Sequence, residues 1–206
     1  MNFLNYYKLF TEGLSRSIIV VDVQPAYSGI YDGDENPIFE KIINFCQRSS
    51  GKILMFVNAE EDQLTTDTIE DIKIYWEDSG FDDWNRVEIV DKGYGFLRGW
   101  MDNQVSDRSI IKALREMYRL RISDSREIVD SFDEVESQEK WKETLNDPNI
   151  PSHDPLYVFP KSIRKLKEYQ NSLLVGGGRN ECLREVELIM NAFNIKYKRV
   201  DDLIYG

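Results

Sequence analysis

Ile18-Ile19-Val20-Val21 sets four β-branched residues in a row and follows them with an acid, Asp22. A strand with one wetted face alternates apolar and polar side chains. The unbroken run from Ser17 to Val23 is instead the mark of a strand buried on both faces. A second buried strand is expected at Lys52 to Asn58, and further strands at Val87 to Val90, Ser172 to Val175 and Ile195 to Val200. Helical spacing lies between them. Ile38, Ile42, Ile43 and Cys46 share one face of a helix ending near Gly51, and Ile69, Ile72, Tyr75 and Trp76 share a face of a helix starting near Thr65 or Thr66. Ile163 to Tyr169 and Leu183 to Phe193 are two more helices. Strands alternating with helices predict an α/β fold: a three-layer α/β/α sandwich on a mainly parallel, doubly wound sheet. At 206 residues the chain is long enough for one such domain.

Sheets of this class bind ligands beyond the C-terminal ends of their strands. Three chemically distinctive residues fall there. Asp22 ends the first run, Lys92 follows Val87-Glu88-Ile89-Val90-Asp91, and Cys182 follows Leu174-Val175 and the turn Gly176-Gly177-Gly178. Cys182 opens a helix-like stretch. The unpaired N–H groups and the dipole of a helix N-terminus favour negative charge, and such positions lower a thiol pKa. A nearby carboxylate takes a thiol proton, and an ammonium holds two anionic groups together. Each residue also has a plainer reading. A free cysteine packs as a small apolar group, a strand-end acid caps a backbone N–H, and a lone lysine sits solvated on the surface. Asp91 is a second source of charge beside Lys92.

The three segments resemble the isochorismatase-like cysteine hydrolases. Val20-Val21-Asp22-Val23-Gln24 is similar to the family's first-strand DxQ motif, and Val175 through Leu183 to its strand, turn and nucleophile segment. Ala192 through Asp202 resembles its last helix-to-strand passage. The resemblance covers roughly residues 15–96 and 155–206. It implies an Asp22, Lys92, Cys182 triad hydrolysing an amide or related C–N bond of a small molecule through a covalent thioester-type intermediate, without metal or cofactor. It further implies an oxyanion hole from the N–H groups of Gly178 and Cys182, and a cis peptide at Gly177–Gly178. Gln24, Tyr94, Phe96 and Arg179 are the expected substrate contacts, with Arg98 and Trp100 as further pocket candidates and Trp100 equally a core candidate. Members often assemble, so a homodimer or higher homo-oligomer is the expected partner arrangement. After its lysine the family carries a Ser-Ala-Phe-like stretch, where this chain has Gly93-Tyr94-Gly95-Phe96 and keeps only the aromatic.

Composition narrows the alternatives. A net charge of −11 disfavours a phosphate-neutralising surface, so no nucleic-acid partner is expected. An acid-based metal nuclease using Asp22 stays open, as does a catalytically silent binding protein. A zinc site with several histidines is impossible in one chain, because His153 is the only one. Asp32/Asp34/Glu35 and Glu60/Glu61/Asp62 are loop acids with Mg²⁺-compatible chemistry. Two cysteines, no apolar stretch of membrane-spanning length and no signal-peptide pattern lead to an expectation of a cytoplasmic chain with free thiols. Residues 1–13 read as an amphipathic leader ahead of a single domain over 14–206. The leader resembles the short leaders that direct internal proteins into the heads of large tailed phages, with Phe10-Thr11-Glu12 as the cleavage pattern, which would place the chain inside a virion. A helix packing on the sheet edge is the other reading. The stretch 97–155 departs from the family. It predicts a helix over Ser109–Leu120, an extra strand within Glu127–Val135 and a helix over Asp133–Leu145, serving as lid, dimer arm or partner-binding insertion.

Overall fold

The computed structural model describes residues 15–31, 37–59, 67–92, 97–123, 126, 128–132 and 138–206. The 1–13 leader and the acid clusters at 32–35 and 60–62 lie outside the described residues. Five strands, β1 (Ile18–Val21), β2 (Ile53–Val57), β3 (Val87–Asp91), β6 (Ser172–Gly176) and β7 (Tyr197–Arg199), form one sheet in the order β3-β2-β1-β6-β7, and every pairing is parallel. The helices are α1 (Pro25–Tyr31), α2 (Ile38–Arg48), α3 (Ile69–Asp78), α4 (Arg98–Asp102), α5 (Asp107–Arg121), α6 (Gln138–Leu145), α7 (Pro160–Lys167) and α8 (Cys182–Ala192). The class is the doubly wound three-layer α/β/α sandwich expected from the alternating pattern. No described helix is long and apolar enough to cross a membrane.

The chain sorts into two compact units. The first comprises the described residues of Met1–Tyr94, Tyr169–Leu183 and Lys196–Gly206. The second comprises those of Gly95–Glu168 and Arg184–Ile195. In the first, Ile18, Val20, Ile53, Met55, Val57, Leu173 and Val175 join Phe39, Ile42, Ile43 and Cys46 of α2 and Ile72 and Trp76 of α3 in one core. The alternate strand residues Ile19, Val21, Leu54, Phe56 and Leu174 are equally buried. Burial of both sets is why these strands show no period-two alternation in sequence. Register aligns the strand ends: Val21 pairs with Phe56 and with Gly176, and Val57 with Asp91. The residues that follow therefore leave the sheet at one edge.

Helix α3 begins at Ile69, later than the expected Thr65 or Thr66. A capping box sets that start. The Thr68 hydroxyl accepts from the Asp71 N–H at 3.1 Å, and the Asp71 carboxylate accepts from the Thr68 N–H at 2.9 Å. The second unit carries a core of its own. Trp100 and Trp141 meet edge to face at 6.5 Å, their indole N–H groups donating to the carbonyls of Asp154 (2.8 Å) and Ser131 (2.7 Å). Trp100 is thus a core residue and not a pocket lining, since both its ring and its polar atom are taken up by the protein. Helix α5 matches expectation closely. The extra strand is short: β4 (Val129–Asp130) pairs antiparallel with β5 (Tyr157–Val158), and Asp130 ends it by turning its carboxylate onto the Phe132 N–H.

Cys46 is fully buried in the first core, where burial pushes its thiol up to about 12 and the Arg86 guanidinium pulls it back in part. The unfolded thiol titrates near its ordinary 9.0. Below that pH both states hold the proton and the burial contribution is whole. Between about 9 and 12 only the unfolded state releases it, so stability falls as pH rises, by at most about 1.4 kcal/mol per pH unit. Urea unfolding at stepped pH should show a steeper alkaline loss for the native chain than for Cys46→Ala. Parallel curves would contradict this account.

Candidate active site

Asp22 is the first residue beyond β1. Its N–H donates to the Phe56 carbonyl at 2.8 Å, and its own carbonyl accepts from the Tyr205 hydroxyl at 2.7 Å. Held at both peptide groups, it adopts φ +50°, a left-handed conformation that a residue other than glycine pays for and that clusters at functional sites. Its carboxylate is wholly buried. Lys92, one residue beyond β3, is tied by its N–H to the Val57 carbonyl at 2.9 Å and brings its Nζ to 3.0 Å from Asp22 Oδ2, itself only 2% exposed. The contact is an ion pair that misses hydrogen-bond directionality. Neither carboxylate oxygen of Asp22 accepts a well-oriented hydrogen bond from a described residue.

Cys182 is the first residue of α8 and is partly exposed, unlike Cys46. The turn that delivers it is built on two consecutive left-handed glycines, Gly176 (φ +77°) and Gly177 (φ +67°). A Cβ on Gly176 would stand 2.5 Å from the Val21 carbonyl oxygen, and one on Gly177 would stand 2.9 Å from Leu183 Cβ. Glycine is therefore required at both positions. The Gly178 carbonyl closes the turn, accepting from the N–H groups of Glu181 (3.0 Å) and Leu183 (3.2 Å). Gly177–Gly178 is not cis, and the described residues contain no cis peptide bond. The two positive φ angles already reverse the chain, so the expected isomer is unnecessary.

Gln24 is fully buried and serves the protein. Its Nε2 donates to the Asn58 carbonyl (2.8 Å) and to Asp67 (3.1 Å), and its Oε1 accepts from the Asn58 N–H (3.0 Å). Asp67 also caps α1 through the Ala26 N–H at 2.8 Å. Gln24 is thus a brace between the chain ends leaving β1 and β2. Arg179 is half exposed and pairs with Asp201 at 3.2 Å, a carboxylate it shares with Arg199 at 3.1 Å. Arg98 pairs with Asp102 at 3.1 Å. Tyr94 and Phe96 lie outside the described residues. Among the described residues no three His, Cys, Asp or Glu side chains are grouped to hold a metal ion. An open cleft of about 500 Å³ in the second unit, lined by Asn103 and residues 148–154, contains none of the predicted site residues.

Tyr27, in the first turns of α1, is a member of this site that sequence reading missed. Burial pushes its phenol up to about 12. A hydrogen bond from Asn58 lowers it, the charges of Asp22 and Cys182 raise it, and that of Lys92 lowers it. All three predicted triad residues therefore lie within electrostatic reach of one hydroxyl. Tyr205 was missed as well. Its ring stacks on Phe39 at 4.9 Å while its hydroxyl fixes Asp22. The available signal for Tyr27 was its place just after a strand-end acid. Tyr205 has no local signal. Comparison with family models, with curated proteins and with solved structures returns no match.

Removing one member of the buried pair leaves the other charged and out of water. Lys92→Met should therefore cost about 3–5 kcal/mol in urea unfolding, with Asp22→Asn/Lys92→Met recovering a large part of the loss. A Lys92→Met chain within about 1 kcal/mol of the parent would show that the pair is not the buried contact described.

Proposed function

We propose that this chain is a metal-independent cysteine hydrolase of the isochorismatase-like type, acting on an amide or related C–N bond of a small molecule. The observation that carries the reading is the buried Lys92–Asp22 pair at 3.0 Å, beyond strand ends where such sheets bind ligands, with the charges of Asp22, Lys92 and Cys182 all acting on the Tyr27 phenol. The uncommitted acceptor capacity of the Asp22 carboxylate supports it further. In this reading Asp22 takes the Cys182 thiol proton as Sγ attacks the carbonyl carbon. The N–H groups of Gly178 and Cys182 hold the resulting oxyanion. The C–N bond breaks, the departing nitrogen takes the proton from Asp22, and a thioester remains. Water then gives a proton to Asp22 and its hydroxide adds to the thioester. The carboxylic acid product leaves, and the proton returns to Sγ. Lys92, paired with that carboxylate at 3.0 Å, orients it through these transfers.

Iodoacetamide near neutral pH is expected to label Cys182 well before Cys46, read by peptide mass spectrometry. Cys182→Ala should abolish hydrolysis of small amides with little change in melting temperature, and activity should survive a chelator. Equal, slow labelling of both cysteines would overturn the reading. So would a Mg²⁺-dependent nuclease activity lost in Asp22→Ala and kept in Cys182→Ala.

A further inference from the structure

Tyr27 combines fixed placement with a hydrogen-bond donor that no described residue accepts. Its ring packs on the core of the first unit, and its N–H donates to the Gln24 carbonyl at 3.1 Å. Its phenolic oxygen accepts from Asn58 Nδ2 at 3.4 Å. Gln24 and Asn58 are themselves locked together through side-chain and backbone bonds, so the ring and its oxygen have a fixed address. A phenol offers one proton and two lone pairs. The Asn58 contact uses a lone pair, and among the described residues no acceptor takes the proton. Because burial keeps this phenol protonated up to about 12, it remains a donor wherever a cysteine thiolate exists.

We propose that Tyr27 is a specificity-determining residue: its hydroxyl donates a hydrogen bond to an oxygen or nitrogen acceptor on the substrate. The substrate class is then small amides carrying such an acceptor near the reacting carbon, in preference to purely alkyl ones. This rests on the cysteine-hydrolase reading. Other acceptors compete for the proton: the Asp22 carboxylate, the Cys182 thiolate and, in the other orientation of its amide, Asn58 Oδ1, which is buried and accepts no hydrogen bond from a described residue. Donation to the Asp22 carboxylate or to the Cys182 thiolate would tune the nucleophile and affect every reagent alike. Donation to the substrate affects only reagents that carry an acceptor.

The test compares two thiol reagents on the full chain: iodoacetamide, which has a carbonyl acceptor beside the reacting carbon, and allyl iodide, which has none. In both, the S–C bond forms as iodide leaves. Rates at Cys182 are normalised to those with free cysteine. The native chain should favour iodoacetamide, and Tyr27→Phe should reduce that preference by about 3- to 10-fold, the size of one neutral hydrogen bond. Allyl iodide rates should be unchanged. A preference equal to that of free cysteine in the native chain overturns the proposal without reliance on the variant. So does an equal slowing of both reagents in Tyr27→Phe, which would assign the hydroxyl to the nucleophile. If Cys182 of the native chain reacts with neither, the hydrolase reading itself fails, and Tyr27 with it.

Discussion

A carboxylate and an ammonium share a space without water at 3.0 Å, and the architecture around them follows from keeping them there. Desolvating two charges costs several kcal/mol apiece, and their attraction offsets that cost only when both are held rigidly. Two strands separated by one neighbour in the sheet supply the rigidity. Asp22 and Lys92 each hang their N–H on the adjoining strand β2, on Phe56 and Val57 respectively. The distance between them is therefore set by parallel register and not by flexible loops. Apolar replacements of such buried pairs are often neutral or stabilising, so the pair is weak evidence of stability by itself.

Strands β1, β2 and β6 were legible because burial on both faces writes itself as near-continuous apolar runs, whereas the partly buried β3 and β7 mix charged residues with apolar ones. The positions of Asp22, Lys92 and Cys182 beyond strands β1, β3 and β6 were legible because the strands before them could be located in the sequence. Less could be read where one residue type serves two ends equally well. Gln24 after a strand looks the same whether it meets a ligand or braces a neighbouring loop, and only the partners Asn58 and Asp67 decide it. Trp100 reads as pocket or core until its indole N–H is seen on Asp154. Three glycines in a row announce a sharp turn but do not say which torsions will make it. Contacts between distant parts of the chain, such as Tyr205 with Asp22, have no periodicity to betray them.

The stretch 97–155 is also more than an appendage. Its buried indoles, its small antiparallel pair and the Ser106–Asp147 contacts at 2.9 and 3.0 Å tie it into a unit with its own core. Helix α8 gives its first two residues, Cys182 and Leu183, to one unit and the rest to the other. Within the second unit, the buried carboxylate of Glu185 accepts the Leu97 N–H at 3.0 Å.

The hydroxyl of Tyr205 fastens the carbonyl of Asp22 across a sequence separation of 183 residues. During synthesis β1 and β2 emerge and can pair long before Tyr205 leaves the ribosome, whereas this clasp has to wait. Contacts between such distant positions are slow to form because loop closure comes first. The turn that brings up Cys182 is joined to the same late segment, since the Arg179 N–H donates to the Tyr205 carbonyl at 3.0 Å. Until that segment docks, Asp22 and the turn ahead of Cys182 each lack one fastening, although β1 and β2 can already pair.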